Sequence, residues 1–331
     1  MVSQHAKSRC CLARVRRFGG KRRQCVSCRR TWTIRPRRRG RHRKRFASDL
    51  MVKVLRQGFS LSQLARRQPH RTLSTFRHHF RRLLRSYASS PRQIDLPDGP
   101  LILLLDGLWF RFKGRPWVLY QVALKPCRSA TALFLDPTLL PGKETYVHWE
   151  EAIGKIPRDL CQRIVGITVD NLHGMRLLAR HHNWVLQLCQ FHLTMKLYGR
   201  RGMSPRALRG GQLRYQLKEL VRNVLTAAPG ANFDAAKTRL TELKSEQALS
   251  PRIRGLIREL CRNSDHYRAH IQHSHMGFPS TTNAVESMGA RIRRCLHRHK
   301  AASSPEALKV WATAITRLSP VIVCNEGYQQ N

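Results

Sequence analysis

Two short apolar runs mark the central part of the chain. Residues 101–105 are all apolar and lead into Asp106, and residues 164–169 lead in the same way into Asp170. Runs of this length are typical of strands that are buried on both faces. Each predicted strand would end at its aspartate, on the edge where open α/β sheets build their sites.

Weaker patterns complete this region. They predict strands over residues 116–123, 130–135 and 184–188, and helices over residues 144–156 and 172–181. Three strands, a helix, a strand, a helix and a strand predict an α/β domain with a mixed sheet flanked by helices. Residues 101–199 would form the first part of this core.

The alternation of predicted strands and helices ends after residue 199. Residues 200–279 carry helical patterns near 206–226, 232–247 and 251–267, which predict an α-helical insertion. A further amphipathic helix follows, with Thr281 as its N-cap. Its buried stripe consists of Val285, Met288, Ile292 and Leu296. Residues 280–331 would therefore return to the core.

Residues 48–90 show the pattern of a helix-turn-helix domain, followed by a linker over residues 91–100. A first helix closes at Gly58, and Ser60 with Gln63 forms a capping box that opens a second helix. After Pro69, an apolar stripe predicts a third helix over 73–87 whose exposed faces carry Arg77, His78, Arg81, Arg82 and Arg85. This helix would read a major groove. The alternative is a three-helix packing unit with a merely solvated basic face.

The charge of the chain indicates its partner. Lys and Arg number 62 against 19 acidic residues, which gives a net charge of +43, and residues 1–85 contain a single acidic residue, Asp49. Such an excess is typical of proteins that bind a polyanion such as double-stranded DNA. A membrane surface is the competing partner, but it does not account for the strands that end in Asp. The sequence has neither a membrane-length apolar run nor a signal segment, so we expect a protein of the prokaryotic cytoplasm, associated with the nucleoid.

Residues 1–47 combine candidate zinc ligands with a basic arm. Cys25 and Cys28 have the spacing of a zinc knuckle, whereas Cys10 and Cys11 are adjacent, so the fourth ligand could be His5 or be missing. Residues 35–45, which include Arg38 and Arg43, form a basic run without apolar periodicity. This arm would follow the phosphate backbone or lie in a minor groove.

Glu286 is a lone carboxylate in a segment where most other charges are positive. On its predicted helix it lies off the buried stripe, and it shares a face with Arg293 and His297. A carboxylate on a surface that binds a polyanion is commonly a ligand of a divalent metal ion, held with other carboxylates against a phosphodiester. Asp106 and Asp170 are the candidate partners of Glu286.

These residues, together with the Cys189-Gln-Phe-His192 motif, resemble the DDE transposases of the Mutator-type insertion-sequence family. The resemblance covers roughly residues 100–320. It implies an RNase H-like catalytic domain and two-metal phosphoryl transfer on DNA ends, with Asp106, Asp170 and Glu286 as the ligands of two Mg²⁺ or Mn²⁺ ions. It makes Cys189 and His192 family markers without assigning their chemistry. Transposon ends and target DNA would be the partners of a homo-oligomer assembled on DNA.

Other carboxylates and other functions compete with this interpretation. Asp136 also follows a predicted strand, but Pro137 favours a turn. Glu259 falls in the helical insertion, and Glu306 has the place of a first-turn acid. A non-catalytic DNA-binding regulator derived from a transposase is one alternative function, and an RNase H-like nuclease without strand transfer is the other.

Overall fold

A computed structural model describes residues 8, 10–19, 22–33, 49–66, 72–198, 211–245 and 249–324. The chain divides into two compact units, Met1–Leu50 and Met51–Asn331. The predicted basic arm with Arg38 and Arg43, the candidate ligand His5 and the Pro69 turn lie outside the described residues. Within the described residues, no helix is both long and apolar enough to cross a membrane.

The first unit contains a small antiparallel sheet. Its three strands are β1 (Val15–Arg17), β2 (Arg22–Cys25) and β3 (Thr31–Thr33), in the order β1-β2-β3. The turn between β2 and β3 is closed by a hydrogen bond from Arg29 N to Cys25 O. This turn places Cys28 three residues after the end of β2.

The second unit is mixed α/β, as predicted, and is built on a seven-stranded mixed sheet. The strands are β4 (Leu101–Phe112), β5 (Arg115–Pro126), β6 (Thr131–Phe134), β7 (Thr138–Pro141), β8 (Ile164–Val169), β9 (Val185–Leu188) and β10 (Val321–Val323). Their order is β10-β6-β5-β4-β8-β9, and β7 pairs with β5. β4 runs antiparallel to β5 and parallel to β8, which runs parallel to β9. The five predicted strands of this region are all present.

Helices occupy the described segments between and around the strands. They are α1 (Val52–Arg56, π-helical), α2 (Leu61–Arg66), α3 (Leu73–Ser89), α4 (Tyr146–Ile153), α5 (Arg158–Cys161), α6 (Met175–His181), α7 (Gln190–Tyr198), α8 (Gly211–Thr226), α9 (Ala231–Leu243), α10 (Pro251–Arg262), α11 (Ser264–Tyr267), α12 (Ala269–Gln272), α13 (Asn283–His299) and α14 (Pro305–Leu318). The described part of residues 200–279 is helical apart from short connections, as the sequence predicts.

The prediction that a strand ends at Asp106 is wrong. β4 continues six residues further to Phe112, because it forms a long hairpin with β5 whose register runs from Leu101–Pro126 to Phe112–Arg115. Lys113 and Gly114 close this hairpin with φ values of 49° and 77°, the left-handed conformation that tight two-residue turns require. Asp106 therefore lies within a strand.

Three helices in residues 52–89 match the predicted arrangement. The capping box is confirmed, since Ser60 Oγ accepts from Gln63 N at 3.1 Å and Gln63 Oε1 accepts from Ser60 N at 2.9 Å. These helices belong to the same compact unit as the sheet, where Phe80 of α3 packs against Trp311 of α14 with ring centroids 5.5 Å apart. Residues 51–90 are therefore continuous in packing with the second unit, and the first unit ends at Leu50.

Helix α13 packs closely against the sheet. Val285, Met288, Ile292 and Leu296 are all buried, as predicted. The predicted N-cap Thr281 is wrong by one residue, because the helix begins at Asn283 and Thr282 occupies the N-cap position. A Cβ atom on Gly289 would lie 2.8 Å from Leu108 Cδ2 of β4, so glycine allows the helix to approach the hairpin.

This contact generates a stability prediction. Gly289→Ala is expected to lower the free energy of unfolding by about 1–2 kcal/mol, because overpacking against Leu108 costs more than the gain in helix propensity. Gly255→Ala is the matched control, since Gly255 also lies in a helix but an added Cβ atom there would have no described neighbour within 4 Å. The control should gain about 0.5–1 kcal/mol in urea denaturation. Equal effects of the two substitutions would contradict a tight contact at Gly289.

Candidate active site

The two predicted aspartates lie at matching positions on the neighbouring strands β4 and β8, where β8 ends and β4 continues. In the parallel pairing of β4 with β8, Leu104 is opposite Thr168, so the chain reaches Asp106 and Asp170 two residues later on each side. Asp170 follows directly after β8, and its Oδ1 accepts hydrogen bonds from Asn171 N at 2.7 Å and Lys196 Nζ at 3.3 Å. β4 thus extends past the end of β8 at the point where both carboxylates emerge.

Glu286 and Asp170 lie on either side of a histidine. Glu286 lies in the first turn of α13, and its Oε1 accepts from the Thr282 hydroxyl at 2.8 Å. His192 of α7 places Nδ1 3.6 Å from Glu286 Oε1 and 3.9 Å from Asp170 Oδ1. That nitrogen is buried and has no hydrogen-bond partner among the described residues. The predicted marker His192 therefore lies between two of the three predicted ligands.

Cys189 contacts the residue that caps the N-terminal end of α13. Its sulfur accepts from Thr282 N at 3.3 Å and lies 3.2 Å from Thr282 Oγ1. Burial raises the pKa of the Cys189 thiol to about 11, against hydrogen bonds from Thr282, so the thiol is neutral. Since the threonine hydroxyl has a single proton and the carboxylate is the stronger acceptor, that proton goes to Glu286 and the thiol can donate to the hydroxyl.

Glu144 is a fourth carboxylate, which the sequence interpretation missed. It precedes α4, and its two oxygens accept from the indole nitrogens of Trp149 at 3.0 Å and Trp109 at 3.3 Å. A Cβ atom on Gly107 would lie 2.7 Å from Glu144 Cδ, so the glycine next to Asp106 makes room for this side chain. The only sign of this contact in the sequence is the glycine that follows Asp106. That glycine does not show which residue fills the space beside it.

Burial and neighbouring negative charges raise the pKa values of Asp106 and Glu144. Burial and then the charges of Glu286 and Glu144 raise the pKa of Asp106 to about 7, while Arg293 acts in the opposite direction. Burial also raises the pKa of Glu144, against hydrogen bonds from the two indoles, and the charge of Asp170 adds to the rise. The four carboxylates therefore share one electrostatic environment.

The donor set fits a hard divalent cation. Carboxylate oxygens from Asp106, Asp170 and Glu286 are the ligands that Mg²⁺ and Mn²⁺ prefer, and a cation would offset the negative charges of Glu286 and Glu144 that add to burial in raising the pKa of Asp106. The buried, unpartnered His192 nitrogen lies beside two of these oxygens. The group whose ligand atoms already lie within 4.8 Å of one another at this place consists of Cys189, His192 and Glu286, and it does not include Asp106 or Asp170.

The competing acidic residues occupy other environments. Asp136 binds Arg317, whose Nε donates to Oδ1 at 2.9 Å, and lies 3.5 Å from Arg92 Nη1. Glu259 accepts from Asn171 Nδ2 at 2.6 Å and from the Tyr267 hydroxyl at 2.7 Å, so it supports the residue that follows Asp170. Glu306 lies in the first turn of α14, where hydrogen bonds from its own backbone N–H and Ser304 lower its pKa.

Basic residues predicted to contact DNA are exposed on two helices. On α3, exposed side chains include Arg77, His78, Arg81 and Arg82, and on α13 they include Arg293 and His297. Arg77 and Arg81 line a cleft of about 460 Å³ between α3 and the start of α14. His78 and Arg82 do not line it, so the basic residues of α3 form two separate faces.

Helix α13 connects the carboxylate cluster with the helices of residues 52–89. Arg298, near its C-terminus, donates from Nη1 to Gly58 O at 3.0 Å, in the turn between α1 and α2. Twelve residues of helix separate Glu286 from Arg298, a rise of about 18 Å. A rigid element therefore joins the candidate site to the candidate DNA-binding helices.

The first unit gathers four cysteine sulfurs. The sulfur atoms of Cys10, Cys11, Cys25 and Cys28 all lie within 4.8 Å of one another, and the Cys10 and Cys28 sulfurs are 3.3 Å apart. The adjacent Cys10 and Cys11 both reach this cluster together with Cys25 and Cys28, at a turn where Leu12 has a φ of 52°. No ligand outside these four residues is needed for tetrahedral coordination.

Neither a protein-family model nor a curated protein matches this sequence.

The raised pKa of Asp106 predicts a pH-dependent stability. In the unfolded chain an aspartate ionises near pH 4, so between about pH 4 and pH 7 the folded state holds the extra proton and stability falls as pH rises. With metal chelated, Asp106→Asn should therefore be more stable than the wild type at pH 8 by about 1–3 kcal/mol. The advantage should shrink towards pH 4 in thermal denaturation.

Asp136→Asn is the control for this experiment. It removes an ionic partner of Arg317, whose side chain is only 10% exposed, so it should destabilise the protein at pH 8. An Asp106→Asn variant that is less stable than the wild type at pH 8 would show that its carboxylate is not under repulsion.

Proposed function

We propose that the protein is a DDE transposase, which binds the terminal inverted repeats of an insertion sequence and catalyses metal-dependent DNA cleavage and strand transfer. The observation that carries this proposal is the matching position of Asp106 and Asp170 on the neighbouring strands β4 and β8, with His192 between Asp170 and Glu286. The net charge of +43 supplies the second argument, because a carboxylate cluster on so basic a protein suits a polyanionic substrate. The reaction takes place on DNA in the prokaryotic cytoplasm.

The sheet supports an RNase H-like catalytic domain. Its central strands β4, β5 and β6 are sequential and antiparallel, and β8 and β9 add in parallel beyond β4. Helices α4 and α5 separate β6 and β7 from β8, and α6 separates β8 from β9. This is the order of three strands, a helix, a strand, a helix and a strand that the resemblance implies, with β7 and β10 as additions.

Asp106, Asp170 and Glu286 would hold two Mg²⁺ or Mn²⁺ ions. When bound, such ions activate a water or a 3′-hydroxyl and stabilise the leaving oxygen of an in-line displacement. The other residues of the site position these ligands. Thr282 orients Glu286 by its hydrogen bond, and Lys196 fixes one oxygen of Asp170.

Glu144 and the basic residues complete the proposed mechanism. Glu144, fixed by two indoles, adds its charge to the burial and the charge of Glu286 that raise the pKa of Asp106 to about 7. Arg293 and His297 follow Glu286 on the same helix and are exposed, so they can bind the phosphates that flank the scissile bond. A homo-oligomer would bring two DNA ends together.

The three carboxylates provide the direct test. Asp106→Asn, Asp170→Asn and Glu286→Gln should each abolish end cleavage and strand transfer in Mg²⁺, because each removes a charged metal ligand. Binding of DNA ends should remain nearly intact, since the basic residues are unchanged. The measurement is cleavage of a labelled terminal repeat, with a mobility-shift assay beside it.

Asp136→Asn serves as the matched control, because Asp136 is bound to Arg317 and does not belong to the carboxylate cluster. It should keep cleavage to within about tenfold, roughly 1.4 kcal/mol of barrier. An active Glu286→Gln protein would overturn the site. A wild type that binds ends with metal but never nicks them would favour the regulator, and one that nicks without joining would favour the nuclease.

Recognition of DNA ends is proposed for α3, with the basic arm as a non-specific anchor. Arg77→Ala or Arg81→Ala should reduce the preference for cognate ends over random DNA. The reason is that α3 would lie in the major groove, where these side chains would contact the bases. Arg38→Ala or Arg43→Ala should weaken the binding of cognate ends and of random DNA alike, and should reduce the salt dependence of binding. Competition binding at two salt concentrations measures both quantities. Equal effects of the two pairs of substitutions would indicate that α3 is a packing helix with a basic face and does not read the DNA sequence.

The four cysteines of the first unit are proposed to form a zinc ribbon. The purified protein should contain one zinc ion per cluster, and Cys28→Ser should lose it, because a tetrahedral thiolate site needs all four ligands. Metal analysis by mass spectrometry measures this loss, with Cys127→Ser as the control outside the cluster. An unchanged zinc content in Cys28→Ser would contradict the ribbon.

A further inference from the structure

A further group of side chains that could hold a metal ion lies between α4 and α6. Glu150 belongs to α4, His181 is the last residue of α6, and His182 follows it. One ligand atom from each of the three lies within 4.8 Å of the others. None of the three belongs to the proposed catalytic cluster, so this group has no role in the reaction described above.

The distances within this group are hydrogen-bond distances, a few tenths of an ångström shorter than those between the ligands of a zinc ion. Glu150 Oε1 lies 3.1 Å from His181 Nδ1, and Glu150 Oε2 lies 3.1 Å from His182 Nε2. Ligands about 2.0–2.1 Å from a tetrahedral zinc ion stand about 3.4 Å apart, so small side-chain movements would admit an ion. The side chains of Glu150 and His182 are 26% exposed and that of His181 is 65% exposed, which leaves a path for the ion and for a water ligand.

Surrounding residues hold the ligands in place. The Tyr146 hydroxyl donates to Glu150 Oε1 at 2.7 Å, and the ring of His182 stacks on Trp184 at 4.2 Å with an interplanar angle of 13°. Burial opposes ionisation of Glu150, but hydrogen bonds from Tyr146, His182 and His181 lower its pKa overall. Outer hydrogen bonds of this kind orient ligands in known metal sites.

We propose that Glu150, His181 and His182 bind a divalent transition metal ion, with zinc as the best fit, and that this ion ties α4 to α6. Two imidazole nitrogens and one carboxylate favour zinc over magnesium, which prefers oxygen ligands alone. Three protein ligands leave one position for water. Simple ion pairs would need only one histidine, whereas here each carboxylate oxygen faces its own ring nitrogen.

The position of this ion gives it a structural consequence. α4 begins two residues after Glu144, and α6 begins five residues after Asp170. Between them, Gly174 has a φ of 94°, and a Cβ atom there would lie 2.9 Å from Tyr146 Cβ, so the two segments are in close contact. An ion bound at Glu150 would brace the two segments that carry these carboxylates.

Cobalt binding by the full-length protein tests the proposal. Excess Mg²⁺ is present to occupy the carboxylate cluster, and Co²⁺ is followed by equilibrium dialysis and by visible absorption. The wild type should bind one Co²⁺ without thiolate charge-transfer bands, separate from any Co²⁺ that shows the bands of a cysteine cluster. His182→Gln and Glu150→Gln should each weaken the first class at least tenfold and leave the second unchanged.

His173→Gln is the matched control, because His173 is exposed in the loop before α6 and is outside the group. It should bind cobalt as the wild type does. Zinc should also raise the melting temperature of the wild type and of His173→Gln but not that of His182→Gln. A wild type whose bound cobalt is all thiolate-ligated, or a folded His182→Gln protein with unchanged binding, would overturn the proposal. If neither His182→Gln nor Glu150→Gln unfolds cooperatively, the wild-type protein decides the question. Its cobalt spectrum in excess Mg²⁺ either contains the class of ion without thiolate bands, as proposed, or does not.

Discussion

Repulsion among carboxylates is the constraint on which the rest of the second unit depends. Burial, and after it the charges of Glu286 and Glu144, raise the pKa of Asp106 to about 7. A fold gains no stability from such an arrangement, since buried like charges oppose one another. The surrounding elements must therefore hold the carboxylates together, and a bound cation would turn the same arrangement into a favourable one.

Three kinds of contact hold them. The hairpin of β4 and β5 fixes Asp106 within a paired strand, so its position does not depend on a flexible loop. Two indole N–H groups fix Glu144, and the close approach at Gly289 sets α13 against the sheet. At the other end of α13, Arg298 binds Gly58 O, so the helix that carries Glu286 also contacts the helices proposed to bind DNA. Substrate binding and metal binding would thus act on one rigid element.

The sequence predicted the parts of the fold that periodicity determines. The apolar runs of β4 and β8 and the stripe of α13 follow from burial alone, and Ser60 with Gln63 is a local signal. The extension of β4 past Asp106 could not be predicted, because the mixed residues after Gly107 form a strand only through pairing with β5. Glu144 was missed because its partners Trp109 and Trp149 come from different elements, and no spacing connects them.

Iron-directed cleavage of the polypeptide tests the central claim, a metal site formed by residues far apart in sequence. Fe²⁺ replaces Mg²⁺ in the full-length protein, and ascorbate with hydrogen peroxide then generates radicals that cut the chain near the bound ion. The account predicts cuts close to residues 106, 170 and 286, all suppressed by excess Mg²⁺. Absence of cuts at these three segments, or cuts there that Mg²⁺ does not suppress, would contradict it.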